Sequence, residues 1–109
     1  MEPLRLVQGD TRPTVSLRLT DATTGAITDV SDALTVITAH IRAAGDTTIK
    51  ESIVLTKPNG GSDGIVSLAW TATALDTAGE YEAEIEIDFD GSSQTIYDVM
   101  PMSIRPQFA

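Results

Sequence analysis

The side chains best equipped for chemistry lie in "DTAGEYEAEIEIDFDG", Asp76 to Gly91, where Glu80, Glu82, Glu84, Glu86, Asp88 and Asp90 recur at every second position. Such a row can collect a calcium ion or meet a basic partner. Calcium takes six to eight oxygens that converge from several directions. Same-face side chains of one strand stand in a line, about 6.5–7 Å apart. The row therefore reads as the solvated face of a strand with cross-strand Lys or Arg partners, and docking to a basic surface is the sharper alternative.

Other candidates are sparse. His40 is the single histidine, and it falls on the polar side of its segment without a paired motif. "PNGGSDG", Pro58 to Gly64, is glycine-rich but lacks the Lys-Ser/Thr of a phosphate cradle, and it reads as a turn. No G-x-S-x-G and no metal-ligand cluster is present, and nothing in the order of residues sets a base beside a nucleophile. The absence of cysteine excludes disulfides, thiolate metal sites and cysteine nucleophiles. We expect no enzyme activity, no catalytic or metal-binding residues and no cofactor.

The chain has 109 residues, which suits one domain spanning 1–109, with short terminal arms. Sixteen acidic residues face seven basic ones, a net charge of −9 that disfavours direct nucleic-acid binding. No basic-then-apolar leader and no membrane-length apolar run is visible, so a protein made in the cytoplasm, with no membrane contact, is expected.

Short segments rich in Thr, Val and Ile, separated by turn signals, predict an all-β sandwich or barrel. Alternation puts Val15, Leu17 and Leu19 on one face, then Ile37, Ala39 and Ile41, then Val66, Leu68 and Trp70. Ile49, Ile53 and Leu55 are in phase, with Glu51 breaking the set. "TATALDTAG" is the one helical turn expected. Tyr81, Ala83, Ile85, Ile87 and Phe89 oppose the acidic row, and Asp90-Gly91 signals a hairpin. The last strand is expected through "SQTIYDVMPMSIRP", with Pro101 marking a bulge or an edge. Tyr97 and Phe108 fall outside the clear alternation and are the aromatic candidates for a partner-facing surface, with Met100 and Met102 as softer ones and peripheral packing as the alternative for all four.

Asp76 to Ala83 resembles the D-x-x-G-x-Y-x-C run that opens strand F of immunoglobulin domains, with Ala83 where the cysteine would stand. The resemblance implies a corner built from Asp76, Gly79 and Tyr81, the tyrosine hydroxyl bonding to backbone just upstream. A wider pattern runs through "QGDTRPTVSLRLTD", "VITAHIRAAGD" and "GIVSLAWTATALDTAGEYEAEIEIDFDG". Gly9-Asp10-Thr11, Ile41-Arg42 before Gly45, Trp70 before Asp76, Gly79 and Tyr81, and Asp90-Gly91 occur in that order. In this the chain is similar to the N-terminal domain of the phage baseplate upper protein family. The likeness implies an immunoglobulin-like β-sandwich of about seven antiparallel strands, with a short helical turn before strand F. It also implies a non-enzymatic virion protein of a tailed bacteriophage, in the tail or on the capsid, that docks onto other virion proteins and forms a homo-oligomer in the particle. The rival readings are a host-surface carbohydrate-binding or adhesion module and a small hydrolase.

Overall fold

The computed structural model describes residues 3–21, 23–96 and 99–108. Among the described residues eight strands form: β1 (Leu4–Val7), β2 (Val15–Arg18), β3 (Val36–Ala43), β4 (Glu51–Val54), β5 (Ile65–Leu68), β6 (Gly79–Asp88), β7 (Ser93–Thr95) and β8 (Met100–Arg105). The larger sheet runs β1-β8-β6-β3-β4, with β7 also paired to β6, and the smaller sheet is β2-β5. All neighbours are antiparallel except β1 and β8, which run parallel. The fold is thus all-β, as expected, and it departs from the about seven antiparallel strands expected in the parallel β1–β8 pair that makes the larger sheet mixed.

One apolar core joins the sheets in the manner of a β-sandwich. Ile37, Ala39 and Ile41 of β3, Val66 and Leu68 of β5, and Ala83 and Ile87 of β6 are fully buried. Trp70, Leu19 and Ile85 are nearly so, while Val15, Leu17 and Phe89 are only half-buried at the margin. Ile53 and Leu55 turn inward as their phase predicts, but Ile49 is exposed in the connection between β3 and β4. The core also takes in Leu6, Val30 and Leu75, which lie in segments too short or irregular for alternation to single out, and Ile104 of β8. The indole Nε1 of Trp70 is buried without a hydrogen-bond partner among the described residues.

One sequence expectation needs correction. "TATALDTAG" forms turns and not a helix: Ala74 N–H bonds to the Thr71 carbonyl at 3.1 Å and Asp76 N–H to that of Thr73 at 3.4 Å. The Thr71 hydroxyl also accepts from Ala74 N–H. A few residues with such local competition fall short of a helix nucleus. The last expected strand is described as two elements, β7 and β8, both paired with β6, and residues 97–98 between them lie outside the described residues; the Ile96 amide bonds to the Ile85 carbonyl at 2.8 Å. Pro101 faces Glu82 of β6 and lies one residue short of the first β1 partner, Met102.

The turns follow their residues. Asp90 and Gly91 adopt φ of 64° and 110° and close the β6–β7 hairpin. In "PNGGSDG" the glycines allow close packing. A Cβ on Gly61 would stand 2.9 Å from the Val30 carbonyl oxygen, and one on Gly64 would stand 2.8 Å from that of Leu19. The turn is thereby bonded to the β2–β3 connection, through Val30 N–H to Gly61 and Leu19 N–H to Gly64.

Candidate functional site

The acidic row stands on the outward face of the larger sheet. Along β6, Tyr81, Ala83, Ile85 and Ile87 are buried while Glu80, Glu84 and Asp88 are exposed and Glu82 and Glu86 half-buried. Antiparallel pairing sets Arg42 opposite Glu82, His40 opposite Glu84 and Thr38 opposite Glu86. Arg42 Nε donates to Glu82 Oε1 at 2.7 Å, the cross-strand pair that the pattern leads one to expect. The Ser103 hydroxyl donates to Glu80 at 3.0 Å. Glu84 has neither ion pair nor hydrogen bond among the described residues.

His40 reaches two neighbours at once. Its Nε2 lies 2.9 Å from Glu86 Oε1 and its Nδ1 lies 2.7 Å from the Ser52 hydroxyl. A carboxylate only accepts, so Nε2 carries the proton of the neutral ring and Nδ1 accepts from Ser52. A hydroxyl, an imidazole and a carboxylate are thus in relay order across β4, β3 and β6. Sequence reasoning found no base beside a nucleophile because Ser52 and His40 are twelve residues apart, and only the β3–β4 register sets them opposite each other. The relay lies on an open sheet face, where water reaches both carboxylate and hydroxyl.

Above this face a shallow groove of about 190 Å³ is lined by His40, Arg42, Thr47, Ile49, Glu82, Glu84 and Val99. Thr47 and Ile49 come from the β3–β4 connection and Val99 from the residues before β8. Its polar floor belongs to β3 and β6. Among the described residues, no group of three or more His, Asp and Glu has the arrangement to hold a metal ion.

A second feature lies at the free edge of the same sheet. Val54 of β4 and Leu34, which precedes β3, are each 63% exposed, and Val36 at the start of the neighbouring β3 is exposed as well. Val54 belongs to β4, which ends the larger sheet. The strip was not foreseen, because alternation assigns faces and does not say which strand is last.

The residues expected to face a partner separate. Met100 is 3% and Met102 0% exposed, so both belong to the core, their β8 alternation being continuous with Ile104. Phe108 is 87% exposed, with the Arg105 guanidinium 5.1 Å from its ring centre. Tyr97 lies outside the described residues.

At the corner, Tyr81 is buried, but its hydroxyl makes no hydrogen bond among the described residues. The fastening contacts come from residues upstream. Asp76 pairs with Lys50 and accepts from the Thr77 hydroxyl at 2.9 Å. Gly9 N–H donates to the Leu75 carbonyl at 2.7 Å, and the Gln8 side chain donates to that of Asp76 at 2.9 Å. The Lys50 hydrogen bond, followed by that of Thr77, holds the Asp76 carboxyl below its ordinary range. Gly79 adopts φ of 145°, where an added Cβ would stand 3.6 Å from the Tyr81 ring. Asp21, Asp29 and Asp63 are likewise lowered. Asp21 and Asp63 accept first from backbone amides, of Thr24 and Ile65, and Asp29 accepts first from the Ser31 side chain.

No protein-family model matches the chain, and no curated protein matches it in sequence.

Proposed function

We propose that the chain is an immunoglobulin-like β-sandwich serving as a non-enzymatic structural protein of a tailed-bacteriophage virion, in the tail or on the capsid, where it docks onto other virion subunits. The strand order supports the fold part of this reading. In immunoglobulin domains, strands G, F, C and C′ share one sheet and B and E the other. Here β8, β6, β3 and β4 follow one another in one sheet, and β2 pairs β5 in the other.

The observation that carries docking is the apolar strip of Leu34, Val36 and Val54 beside the terminal strand β4. An edge strand has unpaired N–H and C=O groups on its outer side, and a partner strand that takes them up also covers neighbouring apolar side chains. Val54→Lys adds a charge to that edge without touching the core. In particles assembled from the variant, the chain is expected to be lost from the density that the wild-type chain occupies, while the isolated variant keeps its thermal midpoint. Equal occupancy of both would remove the edge from the docking surface.

The relay of Ser52, His40 and Glu86 favours a second reading, hydrolysis of small esters. Attack by the Ser52 oxygen on an ester carbonyl would pass its proton to His40 Nδ1, and His40 would return it to the departing alkoxide, leaving Ser52 acylated; water, giving its proton to Nδ1, would then attack the acyl carbon and release the acid as Ser52 takes the proton back. The decisive measurement is turnover of p-nitrophenyl acetate. A rate well above that of free imidazole, abolished by Ser52→Ala, would replace the structural reading, and a rate unchanged by that substitution supports it. The adhesion alternative predicts calcium-dependent signals on a glycan array.

A further inference from the structure

We infer that the groove above β3 and β6 receives one cationic side chain from a basic segment of the docking partner, and that this contact gives the partner its selectivity. The inference rests on the docking reading and adds the chemistry of what docks.

The apolar part of the lining is exposed and consists of Ile49 and Val99, beside Thr47. Its floor holds Glu84, flanked along β6 by Glu82 and Glu86. Those two already have partners, Arg42 and His40. Glu84 has none among the described residues, although the β3 register puts His40 directly opposite it. An incoming lysine or arginine would lay its methylene stem along Ile49 and Val99 and bring its charged head to Glu84. Long cationic side chains bury their stems against apolar surface in this way while the head stays near water or a carboxylate.

Other occupants fit less well. An anion would meet Glu84, since the one cationic residue among the described residues of the lining, Arg42, is already paired with Glu82, within a protein of net charge −9. A sugar ring is usually held by aromatic faces, and among the described residues none lines the groove. At about 190 Å³ the groove is smaller than the roughly 300–1,000 Å³ of sites that enclose drug-sized ligands, and it suits a single side chain. The charge of the whole molecule works in the same direction, steering a basic surface toward this face at low ionic strength.

Two measurements test the inference. In the first, the full chain labelled with nitrogen-15 is titrated with the peptide acetyl-Thr-Val-Arg-Val-Thr-amide and with its citrulline analogue, which keeps the shape and loses the charge. The arginine peptide is expected to shift the amides of Ile49, Glu84 and Val99, and Glu84→Gln to weaken it by about three- to tenfold, as befits one charge-assisted contact. Equal shifts from both peptides, or shifts confined to other faces, would overturn it. In the second, wild-type and Glu84→Gln chains compete for places in assembling particles. Under-representation of the variant supports the inference. Equal incorporation overturns it and leaves the docking reading standing, whereas a wild-type chain that never enters particles removes both. A dimer seen by light scattering and dissolved by Glu84→Gln would assign the groove to a second copy and also overturn the basic partner.

Discussion

The two faces of β6 come from one ten-residue strand and are held in opposite ways. Inward, Tyr81, Ala83, Ile85 and Ile87 meet the smaller sheet in a dry core, where each buried methylene adds to stability and no direction is required. Outward, the carboxylates depend on a few directional contacts, Arg42 to Glu82 and His40 to Glu86, both substantially exposed to water. Exposed pairs of that kind contribute little, typically 0.2 to about 1 kcal/mol. The contrast separates stability from recognition: the inner face holds the strand in place, and the outer face is free to carry charges that the fold does not need.

The contrast is most severely tested from inside. Ile87→Ala empties part of a site with no solvent exposure and is expected to cost about 2–5 kcal/mol, read from urea denaturation. A loss below 1 kcal/mol would mean that the two sheets are not tightly packed there. On the outer face, replacing Glu82 and Glu84 together by Gln should leave the domain folded, with a change within about 1 kcal/mol. Unfolding would show a buried network where we find a wet face.

Acid sharpens the same division. Asp76, held by Lys50 and Thr77, has a folded-state pKa below its unfolded value, as do Asp21, Asp29 and Asp63. Their contribution is complete above the unfolded carboxylate range and disappears as pH falls through the lower folded values. Thermal midpoints should therefore decline on acidification below about pH 4. Asp76→Asn should flatten that decline without altering the core signal in near-ultraviolet circular dichroism. The smallest effect is expected at the corner. The Tyr81 hydroxyl has no hydrogen bond to lose among the described residues, so Tyr81→Phe should change stability by only a few tenths of a kcal/mol, below the roughly 0.5–1.5 of a typical internal bond. A loss above 1 kcal/mol would reveal a hydroxyl partner after all and restore the corner implied by the resemblance.

Much of the architecture was legible in the residues themselves. Period-two alternation assigned the inward sides of β3, β5 and β6, and the Asp90-Gly91 and Pro58–Gly64 turns carried their own backbone chemistry. These are local properties, set by the geometry of an extended chain and by which residues tolerate positive φ. What lay beyond reach was everything that depends on neighbours. Ser52 meets His40, β1 runs parallel to β8, Met100 and Met102 turn inward, and β4 ends its sheet with Val54 uncovered. Register and strand order are long-range choices made by the packing of the whole core, and no window of sequence contains them. The acidic face could therefore be read from its own sixteen residues. The groove above it exists only because folding brings residues near 40, 49, 84 and 99 to one place.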